Sequence, residues 1–191
     1  LQNLLALHPD APTAPQAYYA LARIYLAAGR TDLALDQMEA LAEEGRRSRW
    51  EREARYLAGR IRFERGQWAP AAEHFVALAT DPRPHDLRAE AQKHLGLSLV
   101  RTGEYDRALA AFEVLEESES PRISFWIAVC MEHCDGGGED VRSAYRRIRA
   151  VHPDSDYAIR AGYRLARLAQ QRGDHRAAAG LYERSLRRDR E

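Results

Sequence analysis

Apolar residues recur at three- and four-residue intervals along the chain, in runs separated by short glycine-containing breaks. In alternate runs Ala34, Ala71, Ala108, Val141 and Ala178 are followed four residues later by Met38, Phe75, Phe112, Tyr145 and Tyr182. That spacing puts each pair on one helical face. The runs before them carry Leu21-Ala22, Ala58-Gly59, Leu95-Gly96, Ala128-Val129 and Leu165-Ala166. A small residue there lets two helices approach closely. Sustained alternation of β-branched residues is missing, and the Ala, Leu, Arg and Glu content favours helix throughout. The pattern predicts an all-α protein.

The breaks read AGRTD, RGQWAP, TGEYD, CDGGGED and RGDHR, and their glycines, Gly29, Gly66, Gly103, Gly136 and Gly173, stand 37, 37, 33 and 37 residues apart. A glycine just past a helix can take the left-handed conformation that ends it. The acidic residue that often follows suits the positive N-terminus of the next helix. The chain therefore reads as one helical hairpin repeated.

A hairpin of this period, with a small residue early in each helix and an aromatic knob after it, resembles the tetratricopeptide repeat. The stretch LGLSLVRTGEYDRALAAFEVL, residues 95–115, matches best, through Leu95, Gly96, Leu99, Gly103, Tyr105, Ala108 and Phe112. The likeness weakens in the fourth unit, where Val129 and Val141 replace small residues and Gly136 to Gly138 blur the alignment. It weakens also in the second, where Arg62 stands at a usual tyrosine position. The family's period is about 34 residues; the extra residues here fall in the links between hairpins. In LHPDAPTAPQAYYAL and VHPDSDYAIRAGYRL, Pro9 and Pro153 close one helix and an Asp or Ser can cap the next. Such Pro-Asp links look like those of long-linker tetratricopeptide proteins of the bacterial periplasm.

The resemblance implies a right-handed α-solenoid of stacked helix-turn-helix repeats. Residues 1–12 would be the second helix of a truncated repeat, followed by five repeats at 13–46, 47–84, 85–120, 121–154 and 155–191. Because the text opens mid-pattern at Leu1 and the RRDRE tail shows no clear solvating cap, the sequence reads as part of a longer array.

In this family the first helices of the hairpins line a concave groove, and ligand contacts come from fixed places along them. The fifth place here holds Tyr19, Tyr56, Lys93, Trp126 and Tyr163; the ninth holds Arg23, Arg60, Leu97, Cys130 and Arg167. Tyrosine and arginine four residues apart share a helix face. The resemblance thus makes Tyr19, Arg23, Tyr56, Arg60, Lys93, Trp126, Tyr163 and Arg167 a candidate peptide-binding ladder, suited by its guanidinium forks to carboxylates. The alternative is that the tyrosines pack between hairpins while the arginines pair with acids such as Glu53 or Glu90.

Charge adds little to this picture. The 29 basic and 29 acidic residues cancel, so no global field draws in nucleic acid or an anionic membrane. Arginine clusters at Arg46-Arg47, Arg146-Arg147 and Arg187, Arg188 and Arg190 are interleaved with acids. No apolar run approaches the roughly 18 residues of a membrane span, so any membrane link would be indirect, through an anchor or partner. Cys130, His133 and Cys134 share one side of a helix, but a structural zinc needs a fourth ligand, usually from another element. The DGGGED stretch lacks the lysine and preceding strand of a phosphate loop. Glutamate pairs such as Glu43-Glu44 and Glu116-Glu117 read as solvated faces, and no nucleophilic triad can be assembled.

The expectation is a non-enzymatic scaffold, needing no cofactor or metal, that holds a peptide or partner domain. The subfamily resemblance suggests the periplasm or cell envelope of a bacterium, with the cytoplasm as the other compartment. A regulatory or substrate-recruiting arm of a larger enzyme is the alternative function. Oligomeric state is not written in the sequence.

Overall fold

The computed structural model describes residues 11–43, 48–115 and 120–188, and every regular element among them is an α-helix. A first compact unit ends at Thr102 and contains α1 (Ala14–Ala27), α2 (Thr31–Glu43), α3 (Arg49–Glu64), α4 (Trp68–Ala79) and α5 (Arg88–Thr102). A second begins at Gly103 and contains α6 (Tyr105–Glu113), α7 (Pro121–Asp135), α8 (Glu139–Val151), α9 (Asp156–Gln171) and α10 (His175–Arg188). The expected helix at 1–12, apart from its last two residues, lies outside the described residues. So do Glu44, Arg46-Arg47, Glu116-Glu117 and the end of the RRDRE tail.

The five glycines picked out by their spacing all have positive φ: 72° at Gly29, 74° at Gly66, 83° at Gly103, 73° at Gly136 and 81° at Gly173. Three of the turns share one hydrogen-bond pattern. Arg30 N donates to Tyr25 O at 2.9 Å, Gln67 N to Arg62 O at 2.9 Å and Asp174 N to Ala169 O at 3.0 Å. This is the bond that satisfies an orphan carbonyl when a helix stops at a left-handed residue. Gly136 departs from the pattern with ψ at −165°. That pairing of φ and ψ is open essentially to glycine alone, which explains the glycine at 136 in the turn that aligns least well.

Side-chain caps begin α3 and α9. Ser48 Oγ accepts from Glu51 N at 3.1 Å and Ser155 Oγ from Ala158 N at 3.1 Å, each satisfying a free donor in a first turn. At α1 a proline in the first turn removes one such donor, having no N–H.

Within each unit the helices pack as neighbouring hairpins. In the first, α1 touches α2 and also reaches α3, while α3 touches α4 and reaches α5; in the second, α7 touches α8 and reaches α9, which pairs with α10. The second-helix residues named by the pattern form the core. Ala34, Ala71, Ala108, Val141 and Ala178 are all buried, and Met38, Phe75, Phe112 and Tyr145 are fully enclosed. Tyr182 is half-buried. Helices α3 and α4 approach closely where a Cβ placed on Gly59 would lie 2.9 Å from Phe75 Cε1. Among the described residues no helix is long and apolar enough to cross a membrane.

Candidate functional site

Each ladder tyrosine lies half-buried on a first helix, against an aromatic ring of another helix. Tyr19 on α1 meets Trp50 of α3, with ring centroids 5.3 Å apart. Tyr56 on α3 stands edge-on between Phe75 of α4, at 6.0 Å, and His94 of α5, at 5.8 Å. Tyr163 on α9 faces Tyr182 of α10 at 6.1 Å. Burial, and secondarily the negative charge of Glu53, pushes the Tyr19 hydroxyl above its ordinary pKa. Burial and then Glu90 do the same at Tyr56. Trp126 on α7 is half-buried and lies edge-on to Phe125 at 5.5 Å.

The cationic members are placed differently. Arg23 is exposed on α1. Arg60 is exposed on α3 and pairs with Glu64 at 3.1 Å. Lys93 on α5 holds Glu90, its Nζ lying 2.8 and 3.0 Å from the two carboxylate oxygens. Arg167 on α9 donates to Glu132 of α7. The ladder therefore has two parts. In the first unit Tyr19, Arg23, Tyr56, Arg60 and Lys93 stand on contacting first helices; in the second, Trp126, Tyr163 and Arg167 stand on α7 and α9, which also touch.

The second part opens onto a defined pocket. A concavity of about 460 Å³ is lined by Phe125, Arg160, Tyr163, Arg164, Arg167 and Tyr182. Arg160 and Arg164 belong to it although the ladder places do not name them. Their signal lies in the sequence, because Arg160, Arg164 and Arg167 follow the spacing of one helix face. Arg160 lies over the Tyr157 ring, 5.1 Å from its centroid.

Glu132 could not have been singled out from the sequence. Its side chain is only 7% exposed and accepts from Tyr145 Oη at 2.7 Å, from Arg164 Nη1 at 3.4 Å and from Arg167. A carboxylate taken so far from water needs such partners. Burial, reinforced by the hydrogen bond to Glu132, pushes the Tyr145 hydroxyl far up, so it remains a donor.

The first unit has a related node. Arg62, which breaks the tyrosine pattern, donates from Nε to Glu39 of α2 at 2.5 Å, and His74 Nε2 of α4 lies 3.3 Å from the same oxygen. The Arg62 hydrogen bond holds the Glu39 carboxyl below its usual range. Burial, the largest influence on His74, lowers its pKa.

Cys130 is buried and Cys134 exposed. Burial pushes the Cys130 thiol up to about 12; burial and then the hydrogen bond to Asp106 push Cys134 up to about 11. Thiols held protonated in this way are poor metal ligands and poor nucleophiles. His133 stacks flat on Tyr105, with centroids 3.8 Å apart and planes 4° from parallel. Among the described residues no group of three or more His, Cys, Asp or Glu side chains could hold a metal ion.

Comparison with curated proteins returned no match. Two solved structures show the same fold at low identity. MamA of Desulfovibrio magneticus is similar with a TM-score of 0.74 and 18% identity, over 92% of this chain and 95% of that one. The C-terminal part of a TPR repeat-containing protein from Cytophaga hutchinsonii is similar with a TM-score of 0.71 and 19% identity, over 92% of this chain and 69% of that one. At the sequence level the tetratricopeptide repeat matches residues 1–49, 56–121 and 93–133, and again residues 163–191. These matches span most of the chain and include the five glycine turns except that of Gly136, so the chain belongs to the tetratricopeptide repeat family.

Proposed function

We propose that this protein is a non-catalytic scaffold that holds a peptide or partner domain against the face formed by its first helices, with five repeats at 13–46, 47–84, 85–120, 121–154 and 155–191. The observation that carries the reading is the recurrence of a half-buried tyrosine and, one helical turn later, an exposed arginine at Tyr19 and Arg23, Tyr56 and Arg60, and Tyr163 and Arg167. Packing holds each ring in place, so little rotamer freedom remains to be lost on binding. The guanidinium beyond it stays in water, where it can reach a ligand carboxylate. Arg23 stands exposed, whereas Arg60 pairs with Glu64 on its own helix and Arg167 holds Glu132 of another. By resemblance, the Pro-Asp links at Pro9-Asp10 and Pro153-Asp154 support a place in a bacterial cell envelope.

The test begins with capture of a partner by the full-length protein and mapping of its bound segment to a short peptide. Such a peptide is expected to bind at about micromolar strength, since its own ordering offsets much of the contact energy. Isothermal titration should then show Arg23→Ala and Arg60→Ala each weakening it by about tenfold, the value of one charge-assisted hydrogen bond. Unchanged affinity in both variants would remove the ladder from the binding surface.

A further inference from the structure

The pocket between α7, α9 and α10 carries more information than a general peptide groove. Its lining combines the rings of Phe125, Tyr163 and Tyr182 with the side chains of Arg160, Arg164 and Arg167. Three positive charges thus meet at one place on a chain whose formal net charge is zero. Among the described residues the carboxylate bonded to them is that of Glu132. Arg160 lies over the Tyr157 ring and has no acidic partner among the described residues.

Resting on the scaffold reading above, we infer that this pocket takes an aromatic side chain flanked by a carboxylate, from an acidic peptide segment, and that Glu132 is the internal carboxylate which this ligand displaces from Arg167.

The aromatic half of the ligand follows from the walls. At about 460 Å³ the pocket is wide enough for one ring. A guest ring can meet Tyr163, Tyr182 and Phe125 edge-on or offset, the arrangements that aromatic quadrupoles favour, and can stack on a guanidinium plane. The acidic half follows from the charges. Arg160 is exposed, with no acidic partner among the described residues, and Arg167 is 46% exposed, so both are within reach of a ligand oxygen, whereas Arg164 is 26% exposed and less accessible.

The displacement follows from how Glu132 is held. Arg167 approaches it from the exposed side, while Tyr145 Oη, at 2.7 Å, and Arg164, at 3.4 Å, approach it from helices already packed around it. When Arg167 turns to a ligand, those two partners remain. The exchange therefore leaves no buried charge unpaired, which is what would make it prohibitive. In the free protein the same contact occupies Arg167 and disfavours weak, isolated anions. A ligand must bring both its ring and its carboxylate to compete.

Fluorescence anisotropy with three labelled Gly/Ser-based heptapeptides tests this, their centres being Asp-Phe-Asp, Asp-Ala-Asp and Lys-Phe-Lys. The first is expected to bind at least tenfold more tightly than either of the others. Arg160→Ala and Tyr182→Ala should each weaken it about tenfold while far-UV circular dichroism stays unchanged. Glu132→Gln, which releases Arg167, should tighten it several-fold. If that variant loses its helical signal, Tyr145→Phe replaces it: without the hydroxyl, Glu132 turns wholly to its arginines and binding should weaken several-fold. Equal binding of the three peptides, indifference to Arg160→Ala and Tyr182→Ala, or no change on altering the Glu132 contact would overturn the inference. Peptide binding that is lost in Arg23→Ala and Arg60→Ala yet unaffected at Arg160 and Tyr182 would refute this pocket and leave the scaffold reading standing. A protein that captures no partner and binds no peptide would refute both.

Discussion

Phe75→Ala is expected to destabilise the first unit by about 3–5 kcal/mol, the cost of removing a fully enclosed phenylalanine. Its ring has no exposed surface, lies 5.2 Å from His94 of α5 and 6.0 Å from Tyr56 of α3, and fits over Gly59. One side chain on α4 thus joins three helices. The surroundings can close only partly over the cavity, because Gly59 has no side chain to turn into it. Urea unfolding followed by tryptophan fluorescence reads the effect, with Trp50 and Trp68 reporting on this unit. At about 1–3 kcal/mol per molar of urea, the midpoint should fall by at least about 1 M. A shift much smaller than that would mean that α4 is not held by this contact.

Gly162→Ala is expected to cost about 1–3 kcal/mol in the second unit, as an overpacked contact does. A Cβ on Gly162 would lie 2.4 Å from Ser185 Oγ and 3.6 Å from Ser185 Cβ. The hydroxyl is the obstacle. Ser185 is 3% exposed and its Oγ donates to Leu181 O at 3.0 Å, so it is enclosed where α10 packs on α9. The double variant Gly162→Ala/Ser185→Ala leaves ordinary methyl contact and should recover most of the loss. Thermal unfolding of both single variants and the double variant gives the coupling, expected to exceed about 0.5 kcal/mol because the two sites touch. Additive losses would show that the helices move apart instead of colliding at this point.

The two substitutions mark what a single strand of sequence can disclose. Gly29, Gly66, Gly103, Gly136 and Gly173 could be read as turns because a left-handed backbone is a local demand that few residues meet. The knobs were legible for a similar reason: Ala71 and Phe75 lie four residues apart on one face, so their burial follows from periodicity. The placing of Tyr56 and Arg60 on a common face follows from the same spacing.

Charge partners were another matter. Glu53 and Glu90 stood out as nearby acids, and they pair with Arg49 at 3.6 Å and Lys93 at 2.8 Å, on their own helices. The contacts that join one helix to another run through Glu39 to Arg62 and through Glu132 to Arg164 and Arg167, over separations of 23, 32 and 35 residues. Helical spacing says nothing about such pairs, since any of several acids could fall opposite a given arginine once the hairpins stack. The pocket at Arg160 was missed on the same ground. Its three arginines lie on one face of α9, but Phe125 and Tyr182 come from other helices.

The central claim is that equivalent places on successive first helices stand side by side. Nitroxide labels on an Arg23→Cys/Arg60→Cys variant test it most directly, compared with an Arg23→Cys/Glu73→Cys variant in which the second label sits on α4. Contacting helices have axes about 8–10 Å apart. The Arg23–Arg60 pair should therefore give one narrow, short distance, and the Arg23–Glu73 pair a longer one. The reverse order, or a broad spread for the first pair, would contradict the shared inner face on which the proposed binding surface depends.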